Sequence, residues 1–330
     1  MGNRKGMTPL DYAIAEFVAH QRVFGRGYWF QEYILKALGR FASRRGAADL
    51  STGLFDAWCR DQRHVSPTTL YGRQLVVRKL CLFRRRTDSR CFVPDPTGFA
   101  RPRPHAPPVI VTPSQVADML RAADQLPPSR DSPHRAATMR IAVVLLYTAG
   151  LRRGELLRLR LADVDADDGV LHIRESKFHR SRWVPLSSDA RRELREYLRV
   201  RTRKPYDLQP RAPLLCNRSR AYGYVGWHAY CGGGLTYGLR TLFDLADVRD
   251  AQRRRPRIHD LRHSFAVQAL VRWYRQGGDV QTRLPKLALY MGHVSIVSTA
   301  YYLHFIPEVA SLASKRFERR FSSLIDPRTS

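Results

Sequence analysis

The chain has 330 residues, 44% of them hydrophobic and 10% aromatic, which is enough apolar material for two cores and excludes global disorder. It carries 57 basic residues against 29 acidic ones, a net charge of +28. An excess of that size points to a polyanionic partner, and nucleic acid fits better than a membrane surface because no basic amphipathic helix with a continuous apolar face stands out. Only seven of the basic residues are lysines, so the field is built almost entirely from arginine, whose planar fork grips phosphate through two parallel donors.

The longest apolar run, Ile141 to Leu151, is too short to span a bilayer, and the opening MGNRKGMTPL lacks the apolar stretch of a secretory signal. The five cysteines are scattered, with no C-x-x-C pair, so neither a disulfide framework nor a zinc site is expected. A cytoplasmic protein with no cofactor is the expectation.

Residues 1–88 form a first, helical domain. Apolar residues recur at three- and four-residue spacing in Ile14–Phe17–Val18, in Tyr33–Ile34–Ala37–Leu38–Phe41 and in Leu70–Leu75–Val76–Leu80–Phe83, which predicts four short helices with basic outer faces. Ser51 and Ser66 are N-cap candidates, the second followed by Pro67 at the first helical position. Residues 89–111 are a proline-rich linker holding Arg101, Arg103 and His105; it reads either as part of a clamp closing on DNA or as a plain spacer.

The second domain, 112–330, starts at the cap-plus-proline pair Thr112–Pro113. Helices are expected over 113–125 and 134–149, the latter fully buried, and over 153–160. A hairpin follows, Val170–Arg174 and Trp183–Leu186, then a helix over 188–202 and a short strand at Leu214–Cys216. Residues 217–234 resist assignment. Helices return at 236–246, 260–276, 284–291 and 307–321, the last amphipathic through Val309, Leu312, Ala313 and Phe317. Asp163, Asp165, Asp167 and Asp168 read as a solvated turn before the hairpin and not as the carboxylate cluster of a two-metal nuclease.

The chemistry-bearing segments arrive in order. Arg152 follows the buried helix in TAGLRRGEL, with Glu155 three residues on, where it can orient that arginine. Lys177 falls in the hairpin turn, ahead of Arg180 and Arg182. His259 and Arg262 are three apart in HDLRH and share one helix face, while the adjacent His263 reads as structural. His293 ends a helix in MGH, and Tyr302 follows it by nine residues in AYYLH, beside a rival, Tyr301. A phenol with a pKa near ~10 is a poor nucleophile at neutral pH; nearby cations favour its phenolate and stabilise a phosphorane whose charge grows on the equatorial oxygens.

AGLRRGELLRL, the hairpin ending in VPL, HDLRHSFA, MGH and TAYYLH together resemble the tyrosine recombinase (phage integrase) family over residues 148–305. The resemblance implies a mainly α fold with a small antiparallel sheet: a helical core-binding domain and a mixed α/β catalytic domain closing as a C-shaped clamp on DNA. It implies Tyr302 as nucleophile forming a 3′-phosphotyrosyl bond, without metal or ATP. Arg152 and Arg262 would bind the scissile phosphate, His293 would hydrogen-bond it, Lys177 would protonate the leaving 5′-oxygen, His259 would assist proton transfer and Glu155 would support Arg152. Arg101, Arg103, Arg180 and Arg182 would contact DNA. Partners would be double-stranded DNA with inverted-repeat sites and other recombinase protomers, in a homo-tetramer or a hetero-oligomer, with helix 307–321 docking in cis or on a neighbour. Two departures stand out: Arg262 and His293 are 31 residues apart, longer than usual in the family, and the lysine turn reads SKFHRSR without glycine. The extra length should extend a helix and loop around Trp273 to Pro285. Two other readings share the DNA partner: an inert binder that organises recombination complexes, and a topoisomerase-like strand-passage enzyme.

Overall fold

The computed structural model describes residues 7–104, 106–174, 181–203, 206–219, 226–277 and 279–305. The chain divides into two compact units, Met1–Ala106 and Pro107–Ser330.

The first unit is built from α1 (Pro9–Val23), α2 (Trp29–Arg44), α3 (Thr52–Asp61) and α4 (Pro67–Arg84). Its starts are set by local chemistry. Thr8 caps α1 in a reciprocal box with Asp11, while Ser51 and Ser66 accept from the backbone amides of Leu54 and Thr69. Leu10, Ile14, Phe17, Leu35, Leu38, Trp58, Val77 and Leu80 fill its core. Much of the proline-rich segment packs here: Phe99 is buried in that core, and Arg78 and Gln74 hydrogen-bond to Pro94 and Ala100. Arg101 and Arg103 are exposed, and the Arg103 amide donates to Thr68 Oγ1 at 3.1 Å.

The second unit starts with α5 (Pro113–Asp124), capped by Thr112 in a box with Gln115. The central helix α6 (Arg135–Thr148) buries Met139 and the run Ile141–Leu146, an all-round apolar surface that only a helix enclosed by others tolerates. Next come α7 (Arg153–Arg158) and a three-stranded antiparallel sheet in the order β1 (Val164–Asp165), β2 (Val170–Ile173), β3 (Arg182–Pro185), with Leu171 opposite Val184. Helix α8 (Ser188–Arg201) and the hairpin β4 (Cys216–Ser219) and β5 (Gly226–Ala229) follow, then α9 (Gly232–Leu245), α10 (Ile258–Arg275), α11 (Val280–Met291), α12 (Val297–Ala300) and a 3-10 turn, Tyr301–Phe305. Residues 107–111 also belong to this unit: the amides of Val109 and Val111 donate to Asp260 and Ser264 on α10. The added length between Arg262 and His293 is taken up by the end of α10 and the start of α11.

Two expectations change. The stretch 217–234 holds most of β4, all of β5 and the start of α9, where Cys231 caps the helix through its sulfur on the Gly234 amide and the three glycines after it are helical. The aspartate turn is not simply solvated. Asp163 is buried, accepts from the Arg160 amide and pairs with Arg174, and Asp165 ends β1 while accepting from the amides of Asp167 and Asp168. Among the described residues no helix is long and apolar enough to cross a membrane. The segment 307–321 lies outside the described residues.

Candidate active site

The site is assembled where α7, β3, α10, the end of α11 and the 3-10 turn converge. Its first part is a sharp turn out of α6. Gly150 has φ +60, and a Cβ there would lie 2.5 Å from the Phe265 ring, so both backbone sign and space demand glycine. The turn delivers Arg152 as the residue preceding α7. Glu155 stands at the third position of α7 and accepts from the Arg152 amide at 2.9 Å and from its guanidinium at 2.6 Å. The Glu155 side chain is 1% exposed.

Glu155 is the hub of three arginines. Arg182 from β3 donates to both of its oxygens, at 3.0 and 2.9 Å, and Arg262 from α10 lies at 4.0 Å. Behind them, the last carbonyls of α11 accept from the same three groups: Tyr290 from Arg182 at 2.8 Å, Met291 from Arg262 at 2.6 Å and Gly292 from Arg152 at 2.7 Å. Helix C-termini leave such carbonyls unsatisfied and carry partial negative charge, so this end is a natural dock for cations. Three guanidiniums around one carboxylate leave an excess of two positive charges. Arg262 is 1% exposed and also donates to the Gly150 carbonyl at 2.5 Å. Burial, and then Arg152, pull its pKa down to about 10, which still leaves it charged at neutral pH.

Arg182, placed by sequence among the DNA contacts, is therefore part of this internal brace, its side chain 9% exposed. The structure brings together Arg152, Glu155, His259, Arg262, His293 and Tyr302. Lys177 and Arg180 lie outside the described residues, and Arg101 and Arg103 belong to the first unit.

Tyr302 is 2% exposed and its ring sits in a small core with Ala266, Leu270, Leu287 and Met291, whereas Tyr301 is 45% exposed. The Tyr302 ring stacks near His293 at 6.1 Å between centroids. Its hydroxyl is 3.0 Å from His263 Nδ1. The His263 ring in turn meets His259 edge-on, at 4.6 Å. His263 is the functional candidate that sequence reasoning set aside; its position one helical turn after His259 was the available signal. His293 is anchored by the buried Thr299, Nδ1 to Oγ1 at 2.8 Å.

Electrostatics follow from burial among cations. Burial lowers the pKa of all three histidines, His263 and His293 to about 4, with His259 the next cause for His263 and Arg262 the next for His293 and His259. Burial raises the Tyr302 phenol, and Arg262 and Arg152 oppose it. Beside His259 lies a cavity of about 430 Å³ lined by Arg153, Thr236, Arg240, Arg255 and Arg257, a strongly basic recess at the edge of the site.

Residues 110–308 match the profile of the Phage integrase family. The chain belongs to that family, the tyrosine recombinases. One relative of this integrase is the integrase/recombinase y4rB of Sinorhizobium fredii (strain NBRC 101917 / NGR234), 32% identical over 96% of this chain and 99% of that protein. Another is the tyrosine recombinase XerD of Xanthomonas axonopodis pv. citri (strain 306), 30% identical over 90% of this chain and 94% of that one. The fold is similar to that of the Tn1549 transposon integrase in complex with transposon right end DNA, at 17% identity and TM-score 0.61 over 95% of this chain and 99% of that one. It is also similar to XerH bound to palindromic difH substrate, at 17% identity and TM-score 0.60 over 87% and 79%.

Proposed function

We propose that this integrase is a site-specific DNA recombinase of a mobile element that cuts and rejoins DNA through a 3′-phosphotyrosyl bond to Tyr302, with no metal ion or ATP. The observation that supports this most directly is the Tyr302 hydroxyl held at a histidine beside a brace of three arginines with two positive charges in excess. That excess equals the charge of a pentacoordinate phosphorane formed from a phosphodiester and a phenolate. A preorganised cluster of this kind stabilises the transition state without reorganising during the reaction.

Arg152 and Arg262 hold the non-bridging oxygens, His293 hydrogen-bonds the phosphate, His259 assists proton transfer, and Lys177 protonates the departing 5′-oxygen. The covalent bond conserves the energy of the broken phosphodiester, so rejoining needs no nucleotide. The basic recess beside His259 receives phosphates flanking the scissile one, and the exposed Arg101 and Arg103 extend the DNA contact. The DNA is double-stranded and carries inverted-repeat sites, each bound by one protomer of a tetramer or hetero-oligomer.

The test uses nicked duplexes with randomised arms, incubated with the full chain in EDTA, and recovery of covalent protein–DNA adducts. Adducts are expected from the parent and Tyr301→Phe, and none from Tyr302→Phe. Adducts from Tyr302→Phe, or none from the parent, would overturn the reading.

A further inference from the structure

We propose that His263 is a further catalytic residue of this site, the group that takes the phenolic proton as Tyr302 attacks phosphorus. The inference rests on Tyr302 being the nucleophile, and deepens that reading: His263 takes the proton directly from Oη, and His259 assists from one helical turn away.

The geometry is specific. Among the described residues, the hydrogen-bond partner of Tyr302 Oη is His263 Nδ1, at 3.0 Å, within the reach a general base needs. His259, one turn earlier on α10, faces the edge of the His263 ring and is the more exposed of the two. The order from surface to interior is thus His259, His263, Tyr302. The groups facing His263 are His259, Asp260 and Arg262 from α10, Arg257 just before it, and Tyr302 from the 3-10 turn. Burial and the neighbouring cations keep this imidazole neutral at neutral pH. In the base role His263 carries its hydrogen on Nε2 and accepts the Tyr302 O–H at Nδ1.

The step balances. The Tyr302 O–H bond breaks and its proton moves to His263 Nδ1, while Oη bonds to phosphorus and the bond from phosphorus to the 5′-oxygen breaks. The leaving oxygen takes a separate proton from the general acid. His263 becomes an imidazolium, and in rejoining it returns that proton to Tyr302 Oη. A weakly basic imidazole cannot ionise a phenol in advance, so the transfer accompanies bond formation, when the phosphorane's growing negative charge raises the imidazole's affinity for the proton.

The test compares the full-length parent with His263→Ala, His263→Asn and Tyr302→Phe on nicked duplexes selected from the randomised pool. Asparagine can keep a hydrogen bond to Tyr302 but cannot accept a proton. Both His263 variants should melt near the parent and form adduct about 10²–10⁴-fold more slowly. Added imidazole should restore part of the rate of His263→Ala. A duplex whose 5′-bridging oxygen is replaced by sulfur, a leaving group that needs no proton, should leave the defect in place. The proposal is overturned if His263→Asn cleaves within about three-fold of the parent, a change too small for loss of a base, or if the sulfur substrate abolishes the defect of His263→Ala. Either result with an inactive Tyr302→Phe removes the base and keeps the nucleophile. An adduct from Tyr302→Phe removes both.

Discussion

Glu155→Gln is the sharpest test of the brace. The substitution keeps shape and one acceptor oxygen but removes the carboxylate bonded to both Arg152 and Arg182, with Arg262 4.0 Å away. Glu155 and Arg182 are almost fully enclosed, so solvent cannot replace the lost charge. A single charge pair at such separations is worth about 4 kcal/mol at the effective dielectric of a protein. Breaking a buried pair by neutralising one member costs about 3–5 kcal/mol, because the remaining charges stay buried and here repel one another. For a unit of this size each kcal/mol moves the melting temperature by roughly 2–4 °C, so a fall of roughly 6–20 °C is expected. Circular dichroism melts of the full chain measure it. Sulfate should narrow the gap, since an anion in the site supplies the missing charge. A fall below about 2 °C, equivalent to less than about 1 kcal/mol, would refute the claim that Glu155 holds the three arginines together.

Gly292→Ala should impair the site from the opposite side. Gly292 has φ +67, and a Cβ there would lie 2.9 Å from Arg182 Nη1 and 3.4 Å from Arg152 Nη1, while Arg182 is held by Glu155 and the Tyr290 carbonyl and has nowhere to yield. A loss of about 1–2 kcal/mol from backbone handedness alone is expected, with slower adduct formation; unchanged melting and cleavage would contradict the packing described. Stability should also fall on acidification. His263 and His293 titrate near 4 when folded, whereas the free imidazole titrates near ~6.5. Between those values the unfolded chain binds protons that the folded chain refuses, so stability drops as pH falls from about 6.5 to about 4, by about 1–2 kcal/mol per histidine because solvent reaches and screens both half-buried rings. Melting curves across that range should flatten in the His263→Asn/His293→Asn double variant, and an unchanged slope would assign the titration elsewhere.

Much of the fold was legible in the amino-acid order alone. Hydrophobic periodicity, caps and prolines marked α1–α6, α8 and α10, since these depend on neighbours within a few residues: Thr112 with Gln115 is a complete start signal in four positions. The hairpin of β2 and β3 read correctly for the same reason. The ordered motifs also named six of the residues that converge, Arg152, Glu155, His259, Arg262, His293 and Tyr302, because each motif is short and keeps its chemistry within one element.

Tertiary structure decided what distance along the chain conceals. The brace joins residues 152, 155, 182, 262 and 290–292, and nothing local in the sequence says that Arg182 turns inward to Glu155 while the end of α11 receives three guanidiniums. Asp163 looked solvated because its partner, Arg174, lies beyond a turn. His263 looked structural because its partner, Tyr302, is 39 residues away. The sequence by itself determined which basic and phenolic side chains are available to the site, and on which local elements they ride. Only the packing of α10, α11 and the 3-10 turn decided which of them meet one another, because side-chain pairing across the core depends on how helices cross and not on spacing along them.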